Sequence, residues 1–266
     1  MKQYNTAIIH IPQRILLKRL FFLGALLAAL NLPAQKFVAS GTIEYEVRKN
    51  QKKEMSRFET EQDDNGIWAQ IKDKIPEFSL NYYTYQFNEE AGLYKFSRTA
   101  DKQKMPMWFS RNQEDNIWYN NYVANTFTNL KVLDDNYLIS GPLKKINWKI
   151  SPNDQRIIAG FNCRKATAVL FDSVYVFAYY TDEITTSGGP MGLHGLPGMI
   201  LGVTIPRLYT SWVATTLTLT NGAVAPPSKG KKKTDTEIMQ ALVDLSKSWG
   251  KDGTKYLQPT IWQTFL

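Results

Sequence analysis

The chain has 266 residues and a formal charge of +8, but four of its positives, Lys2, Arg14, Lys18 and Arg19, stand in the first 35 residues, which hold no acid. The +4 left on the remainder is too modest for a dedicated nucleic-acid surface, so nucleic acid is excluded as a partner. Cys163 is the only cysteine, which rules out an intramolecular disulfide and leaves burial as the source of stability.

Arg14, Lys18 and Arg19 lead into the apolar run Leu20-Phe-Phe-Leu-Gly-Ala-Leu-Leu-Ala-Ala-Leu30, followed by Asn31-Leu-Pro-Ala-Gln35, the outline of a signal peptide. The uncharged stretch from Leu20 to Pro33 covers 14 residues, short of the roughly 20 that a membrane-spanning helix needs. We therefore expect residues 1–35 to be cleaved, leaving no transmembrane span. With no cysteine near Gln35, the acyl-thioether anchor of a lipoprotein has no attachment atom. The mature chain, 36–266, is expected in the periplasm or at the outer-membrane periphery as a single β-rich domain of about 230 residues.

From Ser40 the pattern alternates with period two: Ile43, Tyr45 and Val47 share one face and Glu44, Glu46 and Arg48 the other. Further strands are read at Phe78 to Phe87, Leu93 to Phe96 and Ile117 to Val123, with turns at Asp63-Asp-Asn-Gly66 and Asn88-Glu-Glu-Ala-Gly92. A second series follows at Ile146 to Ile150, Arg156 to Leu170, Ser173 to Tyr180, Met199 to Ile205 and Tyr209 to Thr220, with a hairpin break at Asp172-Ser173. No helical period intervenes, which argues against βαβ crossovers. Residues 221–234, with Ala225-Pro-Pro-Ser-Lys-Gly-Lys-Lys-Lys233, read as an exposed linker. A helix over 235–249 is announced by Thr234 three residues before Glu237 and by Ile238, Leu242, Leu245 and Trp249 at helical spacing. The apolar tail Tyr256 to Leu266 follows it. The expected fold is mainly β: a curved antiparallel sheet, a meander of about eight to eleven strands, with one C-terminal helix packed on it.

The segment Thr186-Ser-Gly-Gly-Pro-Met-Gly-Leu-His-Gly-Leu-Pro-Gly-Met-Ile-Leu201 resembles the signature of the GLPGLI family of exported proteins from gram-negative bacteria, with Met199 in place of a leucine. Ile146-Asn-Trp-Lys-Ile150, Ile158 to Ala166, Phe177 to Ile184 and the opening Gly41 to Val47 are similar to that family in order and spacing. The resemblance implies export and association with outer-membrane transport proteins that draw energy from TonB. It implies no catalytic residue.

Gly188, Gly189, Gly192, Gly195 and Gly198, interleaved with Pro190 and Pro197, demand special backbone geometry. One reading is a structural crossover whose Leu193, Leu196, Met199 and Ile200 plug the core. The other is a ligand- or partner-contacting loop made of Gly189, Pro190, Leu193, His194, Gly195, Leu196, Pro197 and Gly198. A phosphate cradle is excluded because a β-like run follows the glycines, where such a cradle needs a helix. After the leader, His194 is the only histidine, so a histidine-rich metal site is excluded and neither metal nor cofactor is expected. Cys163 reads as a small buried apolar residue rather than as a nucleophile. Of the carboxylate pairs, Asp182-Glu183 is the one near the loop, and with His194 it would make a hydrolase if the three converged on one cleft. The aromatic neighbours Tyr82, Tyr83, Tyr85 and Phe87, and Tyr179-Tyr180, must face both sides of the sheet, so the outward set needs a helix, a lipid or a partner to cover it. The expected function is a non-enzymatic accessory or binding protein of the cell envelope serving an outer-membrane, TonB-dependent transport partner. The alternatives are a periplasmic carrier of an apolar or lipidic ligand in the sheet's concave face and, third, the hydrolase.

Overall fold

A computed structural model describes residues 37–56, 74–100, 114–250 and 253–266. The leader and the turn at Asp63 to Gly66 lie outside the described residues. The elements in chain order are β1 (Gly41–Asn50), α1 (Gln51–Met55), β2 (Phe78–Phe87), β3 (Ala91–Thr99), β4 (Ile117–Asn121), β5 (Thr126–Val132), β6 (Asn136–Pro142), β7 (Lys149–Ile158), β8 (Phe161–Leu170), β9 (Val174–Thr181), β10 (Met199–Ile205), β11 (Thr210–Thr218), β12 (Lys231–Lys233), α2 (Asp235–Ser246) and α3 (Gly253–Phe265), with 3-10 turns at Pro190–Gly192 and Pro206–Leu208. Mainly β is therefore correct, and all strand pairs but one are antiparallel.

The twelve strands form one sheet in the order β12-β6-β5-β4-β3-β2-β1-β11-β10-β9-β8-β7. This is two meanders, β1 to β6 and β7 to β11, spliced where β11 pairs with β1, and not the single meander expected from the sequence. The splice has a geometric consequence. Residues 143–148 join β6 to β7, ten strand intervals apart in the sheet order. Laid flat, ten intervals would separate the two strands by about 48 Å, whereas the connection reaches at most about 25 Å. The sheet must curl, and its inner face becomes an interior.

That interior is filled by the protein itself. One apolar cluster joins Ile43, Tyr45, Tyr85, Phe87, Tyr94 and Trp118 of the sheet to Met191, Leu193 and Leu196 of the glycine segment and to Ile238, Leu242, Ile261 and Trp262 of the helices. In α2, Thr234 accepts from the Glu237 N–H while Glu237 accepts from the Thr234 N–H, the reciprocal cap expected from the sequence. The tail is itself helical: α3 buries Ile261 and Trp262, Leu266 just after it is buried too, and Gln263 Nε2 donates to Glu54 Oε1 of α1 at 2.5 Å. The expected C-terminal helix is present as α2, and α3 follows it. Among the described residues no helix is long and apolar enough to cross a membrane.

Three other readings change. The stretch Arg156 to Leu170 is a hairpin, because Ala159 and Gly160 take φ of 50° and 85° and form a tight two-residue turn between β7 and β8. At the next hairpin the expected break at Asp172-Ser173 is present and is one residue longer, Phe171 joining it, with φ of 48° and 61° at Phe171 and Asp172. The linker over 221–234 is exposed along most of its length, yet Lys231–Lys233 adds a parallel strand to β6, where Lys231 pairs with Asp135.

The aromatic strands divide as period two requires. Tyr83, Tyr85 and Phe87 face the core, while Tyr82 faces out with the Arg98 guanidinium 3.7 Å above its ring. Arg48 covers Phe78 at 3.9 Å, and Arg156 covers Tyr179 at 4.5 Å while Asp154 accepts from its hydroxyl. These three outward rings are therefore covered by arginine side chains of other strands.

One inner-face position breaks the apolar rule. Lys131 of β5 is 1% exposed, and its Nζ lies 3.8 Å over the Trp118 ring with no hydrogen-bond partner. Burial holds its amine well below the usual lysine value of 10.5. The folded state thus binds fewer protons there than the unfolded chain, and stability rises as pH climbs toward that value. Lys131→Met should fold and, at pH 7, be more stable, by about 1 kcal/mol or more. Urea titrations of both proteins from pH 6 to 10 should show the gap narrowing as pH rises; a variant less stable at every pH would refute the assignment.

Candidate functional site

The glycine segment leaves β9 at Thr181 and returns to the sheet at Met199, and its path is dictated by close backbone contacts. Gly188 passes under two tyrosine hydroxyls. A Cβ there would sit 2.1 Å from Tyr85 Oη and 2.3 Å from Tyr122 Oη, and these two oxygens are themselves 2.5 Å apart. The Gly189 N–H donates to Tyr85 Oη. Tyr45 Oη donates to the Ile200 carbonyl at 2.5 Å, and the Ile200 N–H donates to the Gly188 carbonyl at 2.8 Å. Three hydroxyls from β1, β2 and the β4–β5 turn thus clasp the segment at its ends. Burial pushes all three phenols up, that of Tyr122 to about 12, so they stay protonated and act as neutral donors and acceptors.

The middle is held from the other side. Asn120 Nδ2 donates to the Gly192 carbonyl at 2.9 Å. His194 Nδ1 also lies 2.9 Å from that carbonyl, which can only accept. This places the proton of the neutral ring on Nδ1 and leaves Nε2 as its acceptor. Trp148 Nε1, from the connection after β6, donates to the His194 carbonyl at 2.9 Å, and Ser187 Oγ accepts from the Gly195 N–H at 3.0 Å. Met191 is held in the left-handed region at φ 55° while its side chain is buried, a conformation that only its surroundings can enforce. At the far end Gly198 has φ 133°, and a Cβ would fall 2.0 Å from the Thr181 carbonyl oxygen.

Leu193, Leu196, Met199 and Ile200 are buried, as the crossover reading requires. Pro190 and the backbone of Gly189 and Gly198 are buried too, whereas Gly195 and Pro197 are exposed and Ser187 and His194 half-buried. Of the eight residues proposed for contact, the structure leaves at the surface a tip made of His194, Gly195 and Pro197. Tyr45, Tyr85, Asn120, Tyr122 and Trp148 complete the site, and the sequence reading assigned none of them to it. Aromatic abundance was visible, but the pairing of phenols with glycines far along the chain was not.

The acids are engaged elsewhere. Asp182 pairs with Arg164 at 2.5 Å, and Glu183 Oε1 accepts from the Asn162 N–H at 3.2 Å. No described contact joins either acid to His194. Cys163 is fully buried, its thiol pushed up to about 12 by that burial. Among the described residues no three His, Cys, Asp or Glu side chains gather as metal ligands would.

No family model and no curated protein matches the chain. Among solved structures, PNGF-II shares 13% identity at a TM-score of 0.48; the match covers 76% of this chain, which spans about a third of that structure, 33%. An uncharacterized conserved protein from Thermus thermophilus shares 7% identity at a TM-score of 0.37, with 79% of this chain and 99% of that one covered.

The contacts rank three substitutions. Gly198→Ala meets backbone at a positive φ and should cost about 3 kcal/mol or more. Gly188→Ala meets only side-chain ends and should cost about 1–3 kcal/mol, partly recovered by Tyr122→Phe, which removes one obstructing oxygen. Gly195→Ala meets only ordinary van der Waals contact with the Trp148 ring and should cost about 1–2 kcal/mol from its φ. Denaturant unfolding that placed Gly195→Ala above Gly198→Ala would contradict this account of the loop.

Proposed function

We propose that this protein is a non-enzymatic accessory or binding protein of the cell envelope that presents the tip of its glycine loop to a partner. An outer-membrane, TonB-dependent transport protein is the partner suggested by the resemblance to GLPGLI proteins, which rests on the residues from Thr186 to Leu201 and the segments around them. The observation that carries the proposal is the clasp. A loop whose backbone is pinned by Tyr45, Tyr85, Tyr122, Asn120 and Trp148 keeps one conformation at His194, Gly195 and Pro197. Such a tip loses little conformational freedom on binding, which favours affinity from a small contact.

Two further features support this reading over its rivals. The inner face that an apolar or lipidic ligand would need is occupied by side chains of the loop and of α2 and α3. The groups a hydrolase would need, Asp182, Glu183 and His194, are each tied to a different partner. The reading further supposes cleavage of the leader and residence in the periplasm or at the outer-membrane periphery, without lipid attachment.

A photo-crosslinking residue at Pro197 in the full chain, irradiated in intact cells, should yield an adduct with one envelope protein. The same residue at Lys229, on the exposed linker, should not. Recovery of the Pro197 protein only as a free monomer, or identical adducts from both positions, would sink the proposal.

A further inference from the structure

β7 stands at one end of the sheet order, and among the described residues no backbone hydrogen bond reaches its outer side. Its hairpin decides which groups are left open there. The tight turn at Ala159-Gly160 makes Ile158 and Phe161 a hydrogen-bonded pair, and such pairs alternate along an antiparallel ladder. Gln155 and Ile157, opposite Arg164 and Asn162, therefore turn their N–H and C=O groups away from β8. Ile157 is also 76% exposed. Before this stretch the strand is bulged between Ser151 and Gln155, where Pro152 has no N–H to offer. The opposite edge of the sheet, β12, is only three residues long, and two of them, Lys231 and Lys233, are tied to Asp135 and Glu237.

The open edge is basic. Lys149 on the strand and Lys145 just before it are exposed and form no described ion pair, and Arg156 lies over Tyr179. The acids around them are already engaged: Asp154 by Lys165, Asp182 by Arg164 and Asp235 by Lys144. We propose that this edge of β7 binds an extended, acidic segment of a partner protein, which adds to the sheet as a further strand. The outward N–H and C=O groups supply its ladder, and the unpaired cations select its charge. A second copy of the chain fits poorly. Laid antiparallel about the midpoint of the strand, it would set Lys149 of each copy against Arg156 of the other, and like charges facing across strands repel. The edge also adjoins the loop tip, since Trp148, the residue before β7, holds the His194 carbonyl. The inference rests on the loop reading for the partner's place in the envelope, while the edge itself is tested on the purified chain.

Hydrogen exchange followed amide by amide should show the N–H groups of Gln155 and Ile157 exchanging freely in the chain alone. A peptide of alternating glutamate and valine, at about ten times its Kd, should slow them about tenfold. Its lysine-and-valine counterpart at the same concentration should not. Gln155→Pro removes one outward N–H without touching a bond to β8, and should abolish the protection at Ile157. Lys149→Glu combined with Arg156→Glu should weaken the acidic peptide about tenfold, with unchanged exchange in β9 reporting an intact fold in both variants. No slowing by the acidic peptide, equal slowing by both peptides, slowing at Lys231–Lys233 as large as at β7, or slowing that grows with the concentration of the chain alone would each overturn the proposal. Protection of β7 with failure of the Pro197 crosslink would sink the loop reading and leave the edge as a site, and the reverse result would sink the edge alone.

Discussion

Six residues, 143–148, tie two distant strands of a twelve-stranded sheet together, and that short tether governs the rest of the molecule. It cannot span a flat sheet, so the sheet curls and encloses a volume. An enclosed volume must be filled, because unoccupied space forfeits the dispersion contacts that hold an interior together. The glycine segment, α2 and α3 are what this chain inserts there. The tether also takes part in the packing, since Trp148 at its end grips the loop through the His194 carbonyl.

Filling an interior with a loop, rather than with a helix or strand, leaves backbone groups that no ladder satisfies. The tyrosine hydroxyls answer that need. Tyr45 serves the Ile200 carbonyl and Tyr85 the Gly189 amide, while Asn120 serves the Gly192 carbonyl. The glycines follow from the same contacts, for Gly188 and Gly198 stand where any side chain would collide with a phenol or a carbonyl. The motif is best understood as the complement of an aromatic inner face: change either surface and the other loses its fit.

The alternation in β1 and β2 was legible because each strand has one more deeply buried face, and the cap of α2 because its two partners are three residues apart. Local signals sufficed for these. The strands β5 and β6 were missed because Asn129 and Lys131 put polar atoms on the inward positions, where Asn129 accepts from the Tyr119 amide and Lys131 lies on Trp118. The hairpin at Ala159-Gly160 was hidden by an alanine in a left-handed conformation, which the tightness of the turn enforces. Strand order and the phenol–glycine clasp depend on residues far apart in the chain, 155 positions in the case of Tyr45 and Ile200, a separation at which one sequence carries no pairing signal.

Charge, too, means something different in the folded chain than in composition. Arg48, Arg98 and Arg156 lie over outward rings, and Arg207 lies over Trp262 of α3. In these positions a guanidinium shields apolar area while keeping its own hydration, which lets a sheet rich in aromatics meet water on its outer side. Lys131 makes a similar ring contact inside, where its amine is buried without a hydrogen-bond partner. A cation over a ring is therefore a covering device on one face of the sheet and a buried, unpaired amine on the other, and solvent makes the difference between them.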